Sequence, residues 1–346
     1  MKQAAILLIL AGILFAFVAA SLQHPYAGFQ DQVFVDIPRG TSTMGVAGRL
    51  FKAGVIQYRW QYLAVRALRP RARVQAGEYL FKHPSTPWEV FDRMVRGDIF
   101  SYELRVIEGQ NMYDIADSLE KLGVIGRDKF LAAARDPSLI RSLTSDAPTL
   151  EGYLFPDTYH LTRHTTAEDL CRMMTERFRD TWAGLGTARQ PHGVVTLASI
   201  VEKETGVADE RPMIASVYQN RLRIGMKLDC DPTAIYAALR EDRYRGTLYH
   251  DDLTSGSPYN TYQHAGLPPG PIANPGRESL KAALNPAQSS YLYFVARPDG
   301  SGRHSFSQDF EAHQRAVRQY RRGIEKRNEA VTARTVDTRK PARKNR

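Results

Sequence analysis

Cysteine is scarce in this 346-residue sequence, which contains only Cys171 and Cys230. There is no CxxC pair and no HExxH string, so the sequence signals no zinc site and we expect no bound metal. Two cysteines permit either one disulfide or two free buried thiols, and the sequence alone does not decide between them.

Lysine, arginine and acidic residues are absent between Lys2 and Asp31, and residues 4–20 form an apolar run. Such a run is near the lower limit of roughly 17–25 residues for a helix that spans a bilayer. Because Lys2 precedes it, the positive-inside rule places the tip in the cytoplasm and everything after about residue 22 outside. A cleaved signal peptide fits the small residues at 18–20, but its apolar region is usually only about 7–15 residues long, so an uncleaved anchor is favoured.

Export in either form argues against cytosolic chemistry that uses ATP or reduced nicotinamide. A glycine-rich phosphate-binding loop is also missing, so we expect no cofactor. The predicted location is therefore the plasma (inner) membrane, crossed once, with the bulk of the chain on the extracytoplasmic side.

Positive charge is concentrated at the C-terminus. Residues 326–346 contain eight basic and two acidic residues, a net charge of +6, which leaves 10 − 6 = +4 for the rest of the chain. This tail is predicted to be disordered and solvated. Contact with anionic lipid, acidic wall polymer or nucleic acid is the alternative, but a basic tail alone identifies no partner, and we expect no nucleic acid.

Two segments of similar sequence follow the apolar run. Residues 40–56 and 109–125 align without a gap, and each predicts a strand, a glycine turn and an amphipathic helix. The first continues with a helix at about 58–68 and a strand at 77–81. This β-α-α-β order resembles a LysM module, which binds N-acetylglucosamine polymers, although a spacer that binds nothing has the same order. The second segment ends in a string at 152–155 that is similar to this closing strand, which predicts a degenerate copy at 102–157.

From about residue 165 the sequence is predicted to be mainly helical. The predicted elements are helices that begin at Thr166, Val194, Asp209 and Asp231, a Gly/Pro-rich loop at 254–276, and a hairpin from 291–296 and 304–307. The predicted fold class is α+β. An N-terminal transmembrane helix (1–22) precedes a LysM-like βααβ subdomain (31–100), a mainly helical domain with a small β element (101–325), and the tail.

A carboxylate lies on the apolar face of one predicted helix. The string LASIVEKET places four residues in the i, i+3, i+4, i+7 pattern: Leu197, Ile200, Val201 and Glu204. Glu202 and Lys203 point away from this stripe. Burial raises the pKa of a carboxyl, and a protonated carboxyl can donate to the leaving oxygen of a glycosidic bond. Glu204 is therefore the candidate catalytic residue. A side chain that reaches solvent, or pairs with Arg211 or Arg221, fits the spacing equally well.

Five further residues are candidates for binding substrate. Tyr259, Asn260, Thr261 and Tyr262 combine rings with hydrogen-bonding groups, which suits stacking on sugars and orienting them; turn formation beside prolines is the alternative. Asp231 is a candidate second carboxylate, although a residue before proline is more simply a helix N-cap.

A series of motifs runs in order along nearly the whole chain. The strings are EGYLFPDTY at 151–159, LASIVEKET at 197–205, NRL at 220–222 with IGM at 224–226, DPT at 231–233 with IY at 235–236, YNTY at 259–262, GLPPGPI at 266–272 and YLYFVA at 291–296. With the anchor, they resemble the endolytic murein transglycosylases, also called the YceG-like family.

The resemblance implies an activity and a catalytic residue. In this family the second Glu of the EKE string, here Glu204, is catalytic, and residues 101–325 would form the catalytic domain. Such enzymes cut nascent peptidoglycan glycan strands between N-acetylmuramic acid and N-acetylglucosamine, leave a 1,6-anhydromuramyl end, and need no metal. The resemblance also implies partners among the peptidoglycan synthases, the penicillin-binding proteins.

Two other classes of function remain open from the sequence. A non-catalytic wall-binding protein would use the LysM-like region. Glu204→Gln separates it from an enzyme, because binding should survive and cleavage should vanish only if the protein is an enzyme that uses Glu204. An exported basic protein that binds nucleic acid through residues 326–346 would show a steeply salt-dependent affinity that is lost with the tail.

Overall fold

The computed structural model describes residues 2–337, which form two compact units. One unit comprises the residues up to Tyr102 together with His160–Arg163, and the other comprises Glu103–Tyr159 with the residues from His164 onward. The elements up to residue 105 are α1 (Lys2–Gln23), β1 (Val33–Ile37), α2 (Thr43–Lys52), α3 (Arg59–Leu68), β2 (Gly77–Phe81), α4 (Pro87–Arg96) and β3 (Tyr102–Arg105).

The later part of the chain is mainly helical. Its elements are α5 (Met112–Leu122), α6 (Arg127–Arg135), β4 (Thr158–Leu161), α7 (Ala167–Ala183), α8 (Pro191–Glu204), α9 (Arg211–Arg223), α10 (Asp231–Arg240), α11 (His250–Leu253), α12 (Arg277–Leu284), β5 (Tyr293–Ala296), β6 (His304–Ser307) and α13 (Phe310–Asp337). Within residues 2–337 the strands form three two-stranded sheets, β1-β2, β3-β4 and β5-β6. The prediction of a mixed fold of helices with small sheets is confirmed.

The first unit has the predicted β-α-α-β order. Strands β1 and β2 pair antiparallel, with Val33 opposite Phe81. The side chain of Ser42 caps α2 by accepting a hydrogen bond from the backbone N–H of Gly45. Both helices and both strands turn apolar side chains inward, and Leu50, Val65 and Phe81 are completely buried. This shared core is what holds the two helices against the sheet.

Helix α1 is apolar almost throughout. By length and composition, Gln3–Gln23 is a candidate membrane span with a mean hydropathy of 2.8. Residues 3–17 are exposed, whereas Leu22 is buried in the core of the first unit. The helix therefore has an unpartnered apolar part and a short end that belongs to the folded unit.

Helix α8 is enclosed by the second unit and contacts α9, α10 and α12. Pro191 lies in its first turn, where a missing backbone N–H costs no helical hydrogen bond. Every residue from Val194 to Val201 is buried. Because the helix is held by packing on nearly all sides, its last residue, Glu204, has a fixed position.

Other predicted elements are present, with shifted ends. Thr166 and Asp169 form the capping box that begins α7, and β5 pairs antiparallel with β6. Asp231, predicted as an N-cap, is instead the first residue of α10, because the extended residue Cys230 occupies the cap position. The predicted disordered tail is helical to Asp337, since α13 continues through its Glu, Lys, Arg and Ala residues, and residues 338–346 lie outside the described range.

The predicted strand at residues 152–155 is not formed. Gly152 has a φ of +85°, and the backbone N–H groups of Gly152 and Leu154 donate to Oδ1 of Asn274 at 2.8 and 3.0 Å. This turn is followed by the strand β4. A side chain 120 residues away in the sequence therefore fixes the local conformation, and local pattern alone misidentified it.

Glu151 and Asn274 form a buried hydrogen-bonded hub. Oε1 of Glu151 accepts from Nδ2 of Asn274 at 2.9 Å, and Oε2 accepts from the backbone N–H of Met112 at 3.0 Å and from Oη of Tyr236 at 2.9 Å. The hub joins the start of α5, α10 and the Gly/Pro-rich loop. That loop is consequently ordered within the second unit rather than disordered.

Burial raises the pKa of Glu151 to about 7. The folded protein therefore binds more protons than the unfolded chain between about pH 4.5 and 7, so this group's contribution to stability is largest at low pH and is lost as the pH rises to about 7. We expect the free energy of unfolding to fall between pH 5 and pH 8 by about 3 kcal/mol more in the wild type than in Glu151→Gln. Urea unfolding of the full chain in detergent micelles measures this difference. Equal pH slopes would contradict it.

Candidate functional site

Among the described residues, only one oxygen of the Glu204 carboxyl group accepts hydrogen bonds. Oε1 accepts a hydrogen bond from Oη of Tyr218 at 2.8 Å and another from the Sγ of Cys230 at 3.1 Å. No hydrogen bond to Oε2 is formed by the residues between 2 and 337. The other members of the predicted stripe, Leu197 and Ile200, are buried as expected. Glu204 therefore points inward from the end of α8.

The two arginines that were alternative partners of Glu204 bind elsewhere. Arg211 pairs with Glu202 at 3.3 Å. Arg221 donates to the backbone carbonyl of Leu228 at 2.8 Å and pairs weakly with an aspartate in the cleft. Among the described residues no ion pair includes Glu204. The charge of His304 lowers the pKa of Glu204, but this effect is the smallest of those that act on the carboxyl.

Burial raises the pKa of Glu204 above its ordinary value, and the negative charge of Asp231 acts in the same direction. The hydrogen bonds from Cys230 and Tyr218 oppose this rise but are smaller effects. Burial also raises the pKa of the Tyr218 hydroxyl and of the Cys230 thiol well above their usual values, so both groups remain donors. Glu204 therefore keeps its proton to a higher pH than a glutamate in water does.

Glu204 lines a cleft of about 310 Å³ within the second unit. The remaining wall combines aromatic rings with polar and charged groups: Tyr218, Arg221, Leu228, Asp229, Asp231, Tyr262, Tyr293, Phe294, Phe310 and His313. Rings that stack and polar groups that hydrogen-bond are both needed to hold a carbohydrate. The cleft thus offers an acid next to a surface suited to sugar rings.

Two of the five predicted substrate-binding residues lie in this cleft. Oη of Tyr262 donates to Oδ1 of Asp231 at 2.5 Å, and both side chains line the cleft with Glu204. Burial and the bond to Asp231 raise the pKa of Tyr262. The tyrosine therefore stays a donor and fixes one oxygen of the aspartate.

The other three predicted residues are buried and do not line the cleft. Nδ2 of Asn260 donates to three backbone carbonyls of its own loop, among them Ser255 at 2.8 Å. Oγ1 of Thr261 accepts from the backbone N–H of Cys230 at 3.1 Å. The ring of Tyr259 packs against Tyr236 at 5.2 Å. These residues fix the loop and the position of Cys230, so the turn-forming alternative describes their contacts.

Some cleft residues were not predicted from the sequence. Tyr218 and Cys230 both donate to Glu204, whereas the sequence indicated Cys230 only as a disulfide partner or a free buried thiol. Tyr218 carried a weak signal, because it follows Ile214 at i+4 on the buried face of α9. Cys171 and Cys230 are both free and buried, so the disulfide alternative is not realised. Within the described part of the chain, no group of three or more His, Cys, Asp or Glu side chains is placed to hold a metal ion.

Glu202, the first glutamate of the EKE string, serves a different purpose. It points away from the stripe as predicted, but its side chain is only 6% exposed. Oε2 accepts the backbone N–H of Gly276 at 2.8 Å while Oε1 bonds Arg211. Glu202 therefore attaches the end of the Gly/Pro-rich loop to α8, on a side of the helix that does not face the cleft.

A carboxyl with a raised pKa in the wall of a cleft with aromatic and polar groups is an arrangement that suits acid/base catalysis. Residues 35–319 match the model of the YceG-like family. The chain therefore belongs to the YceG-like family.

Named relatives agree with this membership. The endolytic murein transglycosylase of Bacillus subtilis (strain 168) is 30% identical over 309 residues, which is 83% of this chain and 84% of that protein. The endolytic murein transglycosylase of Streptococcus pneumoniae serotype 2 (strain D39) is 27% identical over 340 residues, 88% of this chain but only 61% of that protein. The crystal structure of a putative YceG-like protein from Listeria monocytogenes aligns with a TM-score of 0.53 at 30% identity, covering 83% of this chain and 99% of that one.

Proposed function

We propose that this protein is an endolytic murein transglycosylase that cleaves nascent peptidoglycan strands between N-acetylmuramic acid and N-acetylglucosamine. The general class, a lytic transglycosylase, follows from the family and from the names of the relatives. The observation that supports a catalytic role for Glu204 is its half-buried carboxyl, which has a raised pKa, is hydrogen-bonded on one oxygen and lines the cleft.

The hydrogen bonds on Glu204 fit a protonated acid. A protonated carboxyl has one carbonyl oxygen, which accepts, and one hydroxyl oxygen, which donates. Oε1 accepts from both Tyr218 and Cys230, so the proton belongs on Oε2. In the proposed first step Oε2 donates this proton to the glycosidic oxygen, the bond from that oxygen to muramyl C1 breaks, and an oxocarbenium-like centre develops at C1.

The second step needs no water. The Glu204 carboxylate takes the proton from the muramyl C6 hydroxyl while O6 forms a bond to C1, which closes the 1,6-anhydro ring and restores the acid. An attacking group within the same sugar has a high effective concentration, so no second carboxylate is needed to activate a nucleophile. One carboxyl with a raised pKa is sufficient for this chemistry.

The product distinguishes this reaction from hydrolysis. We expect the purified full chain, given uncrosslinked nascent glycan, to release fragments whose muramyl ends carry the anhydro ring, identified by mass spectrometry as one water lighter than a reducing end. Lysozyme digestion of the same glycan supplies the hydrolytic control. Reducing ends from both enzymes would contradict the proposal.

Asp231 and Tyr262 are proposed to contact the sugar. In Tyr262→Phe the hydroxyl that holds Asp231 is lost, and a hydrogen bond to a charged group is worth about 1.5–3 kcal/mol, so we expect kcat/KM to fall about tenfold, mainly through KM. Tyr259→Phe is the matched control, because this nearby ring is buried outside the cleft, and its kcat/KM should stay close to the wild-type value. Steady-state cleavage rates measure both. Equal values for the two variants would exclude a role for Tyr262 in binding.

The first unit and the anchor extend the proposal. We propose that α1 holds the protein in the plasma membrane with both units on the outer side, and that the β-α-α-β unit is LysM-like and binds N-acetylglucosamine-containing strands. We expect Glu204→Gln to bind insoluble glycan without cleaving it. This result would support binding of strands that does not depend on catalysis. We also propose a peptidoglycan synthase of the penicillin-binding class as a partner, because the family resemblance implies one. Co-purification after crosslinking in membranes would test this partner.

A further inference from the structure

The outer end of α1 is built into the first unit. Leu22 is 4% exposed in the core of that unit, and Val18 packs against the same core. Nε2 of Gln61, on α3, donates to the backbone oxygen of Ser21 at 3.1 Å and to its Oγ at 2.9 Å. The unit therefore begins before the apolar run of α1 has ended, with no spacer between helix and fold.

This attachment shortens the part of α1 that is available to lipid. Residues 4–17 form the continuous apolar run that remains exposed, and at about 1.5 Å per residue they span roughly 21 Å. The hydrocarbon core of a bilayer is about 30 Å thick. A helix that is too short brings its flanking structure toward the membrane, so the part of the first unit around α1 lies at the depth of the interface.

The side chains around α1 suit that depth. The ring of Trp60 lies 6.5 Å from that of Phe17, and Tyr58 stacks on Trp60 at 6.3 Å with the rings 14° from parallel. The guanidinium of Arg59 lies 5.4 Å from the ring centre of Phe51. Phe51 and Tyr58 are 43% and 45% exposed. We call Phe51, Tyr58, Arg59 and Trp60 the anchor face. Tryptophan and tyrosine are enriched where the headgroups of a bilayer meet its hydrocarbon.

The anchor face lies in a strongly basic stretch. Residues 37–77, which include α2 and α3, contain eight lysines and arginines and no acidic residue. Arg59 and Lys52 are both exposed. A basic surface next to a membrane helix is attracted to anionic lipid headgroups. Charge and exposed rings thus coincide around the point where the helix leaves the bilayer.

We propose that the anchor face is a second membrane contact, which lies in the headgroup layer and binds anionic phospholipid. The proposal rests on the proposed membrane insertion of α1 and adds to it. It holds the first unit directly against the bilayer surface, where newly made glycan strands are extruded, instead of leaving it on a flexible tether.

The three tryptophans of the chain allow a direct test. The full chain is placed in phosphatidylglycerol/phosphatidylcholine nanodiscs whose acyl chains are brominated near the headgroup, and tryptophan quenching is measured for the wild type, Trp60→Phe, Trp88→Phe and Trp182→Phe. Phenylalanine preserves a ring against Phe17. We expect quenching in the wild type, Trp88→Phe and Trp182→Phe, and its loss in Trp60→Phe. Quenching that persists in Trp60→Phe, or is missing in the wild type, would overturn the proposal.

Two further experiments test the role of lipid charge and the membrane insertion of α1 separately. In the wild type we expect more quenching in phosphatidylglycerol-containing discs than in discs of pure phosphatidylcholine. In Lys52→Gln/Arg59→Gln this increase should disappear. A wild type without the increase would contradict binding to anionic lipid. Extraction of vesicles with alkaline carbonate tests the anchor on its own. Release of the full chain would refute membrane insertion of α1, whereas retention without Trp60 quenching would refute only the anchor face.

Discussion

Glu204→Gln is expected to lower the rate of glycan cleavage by at least about 10³-fold, since general acid/base catalysis alone contributes about 10²–10⁴ and this residue performs both proton transfers. Glutamine has nearly the same shape and keeps an oxygen that accepts from Tyr218 and Cys230. It cannot release a proton to the glycosidic oxygen or remove one from the C6 hydroxyl. Strand binding should therefore survive while cleavage is lost, and this loss of cleavage separates the enzyme from a non-catalytic wall-binding protein.

The same helix offers a matched control for this variant. Glu202→Gln changes a glutamate two residues earlier, whose carboxylate bonds Arg211 and Gly276 and does not line the cleft. We expect this variant to keep activity within about tenfold of wild type, because glutamine keeps an oxygen that accepts from Gly276 and no side chain of the cleft is changed. Release of anhydro-ended fragments, followed by mass spectrometry, measures both. A cleaving Glu204→Gln protein, or equal loss in both variants, would remove Glu204 from the reaction.

Asn274→Ala is expected to destabilise the second unit by about 3–5 kcal/mol, because each buried polar group left without a partner costs about 1–3 kcal/mol. The completely buried amide of Asn274 joins Gly152, Leu154, Gln110 and Glu151. Alanine leaves two buried N–H groups unpaired and removes one hydrogen bond from Glu151. The melting temperature should fall by roughly 10 °C.

A surface asparagine provides the comparison. Asn285 is exposed after the end of α12, and Asn285→Ala should change stability by no more than about 0.5 kcal/mol. Differential scanning fluorimetry and urea unfolding of the full chain in detergent measure both variants. If Asn274→Ala and Asn285→Ala have the same stability, the hydrogen bonds of the buried Asn274 amide do not stabilise the second unit as inferred.

The inward direction of Glu204 was predictable because it depends on a local property. Four residues spaced i, i+3, i+4 and i+7 share a helix face in any environment, so LASIVEKET predicted burial before any contact was known. Its hydrogen-bond donors were not predictable in this way. Tyr218 lies on the next helix and Cys230 at the start of another, and nothing in their local sequence reports which carboxyl they reach.

The loop residues show the opposite limit. Tyr259, Asn260 and Thr261 have side chains that suit sugar binding, but all three are buried, and Asn260 and Thr261 bond backbone groups in and beside the loop. Of the five predicted substrate-binding residues, only Tyr262 and Asp231 line the cleft. The misidentified strand at 152–155 has a related cause, since its backbone donors are bonded by Asn274, a partner distant in sequence.

The β-α-α-β order of the first unit was predictable because short-range signals defined it, although α4 was not predicted. Alternating apolar residues, glycine turns and helix caps are all read within a few positions, and β1 and β2 have the predicted bounds. The β-α-α-β order alone specifies no ligand, however. Sugar binding by this unit therefore stays a prediction.

The contact between Cys230 and Glu204 has a consequence in the proposed location outside the cytoplasm, where exposed thiols are readily oxidised. Only the thiolate attacks disulfides and alkylating reagents. Enclosure keeps this sulfur in its neutral form, so the protein can keep a reduced cysteine one hydrogen bond from its acid in an oxidising compartment. Iodoacetamide should then modify position 230 only when the surrounding helices open, which makes its labelling rate a reporter of local unfolding at the site.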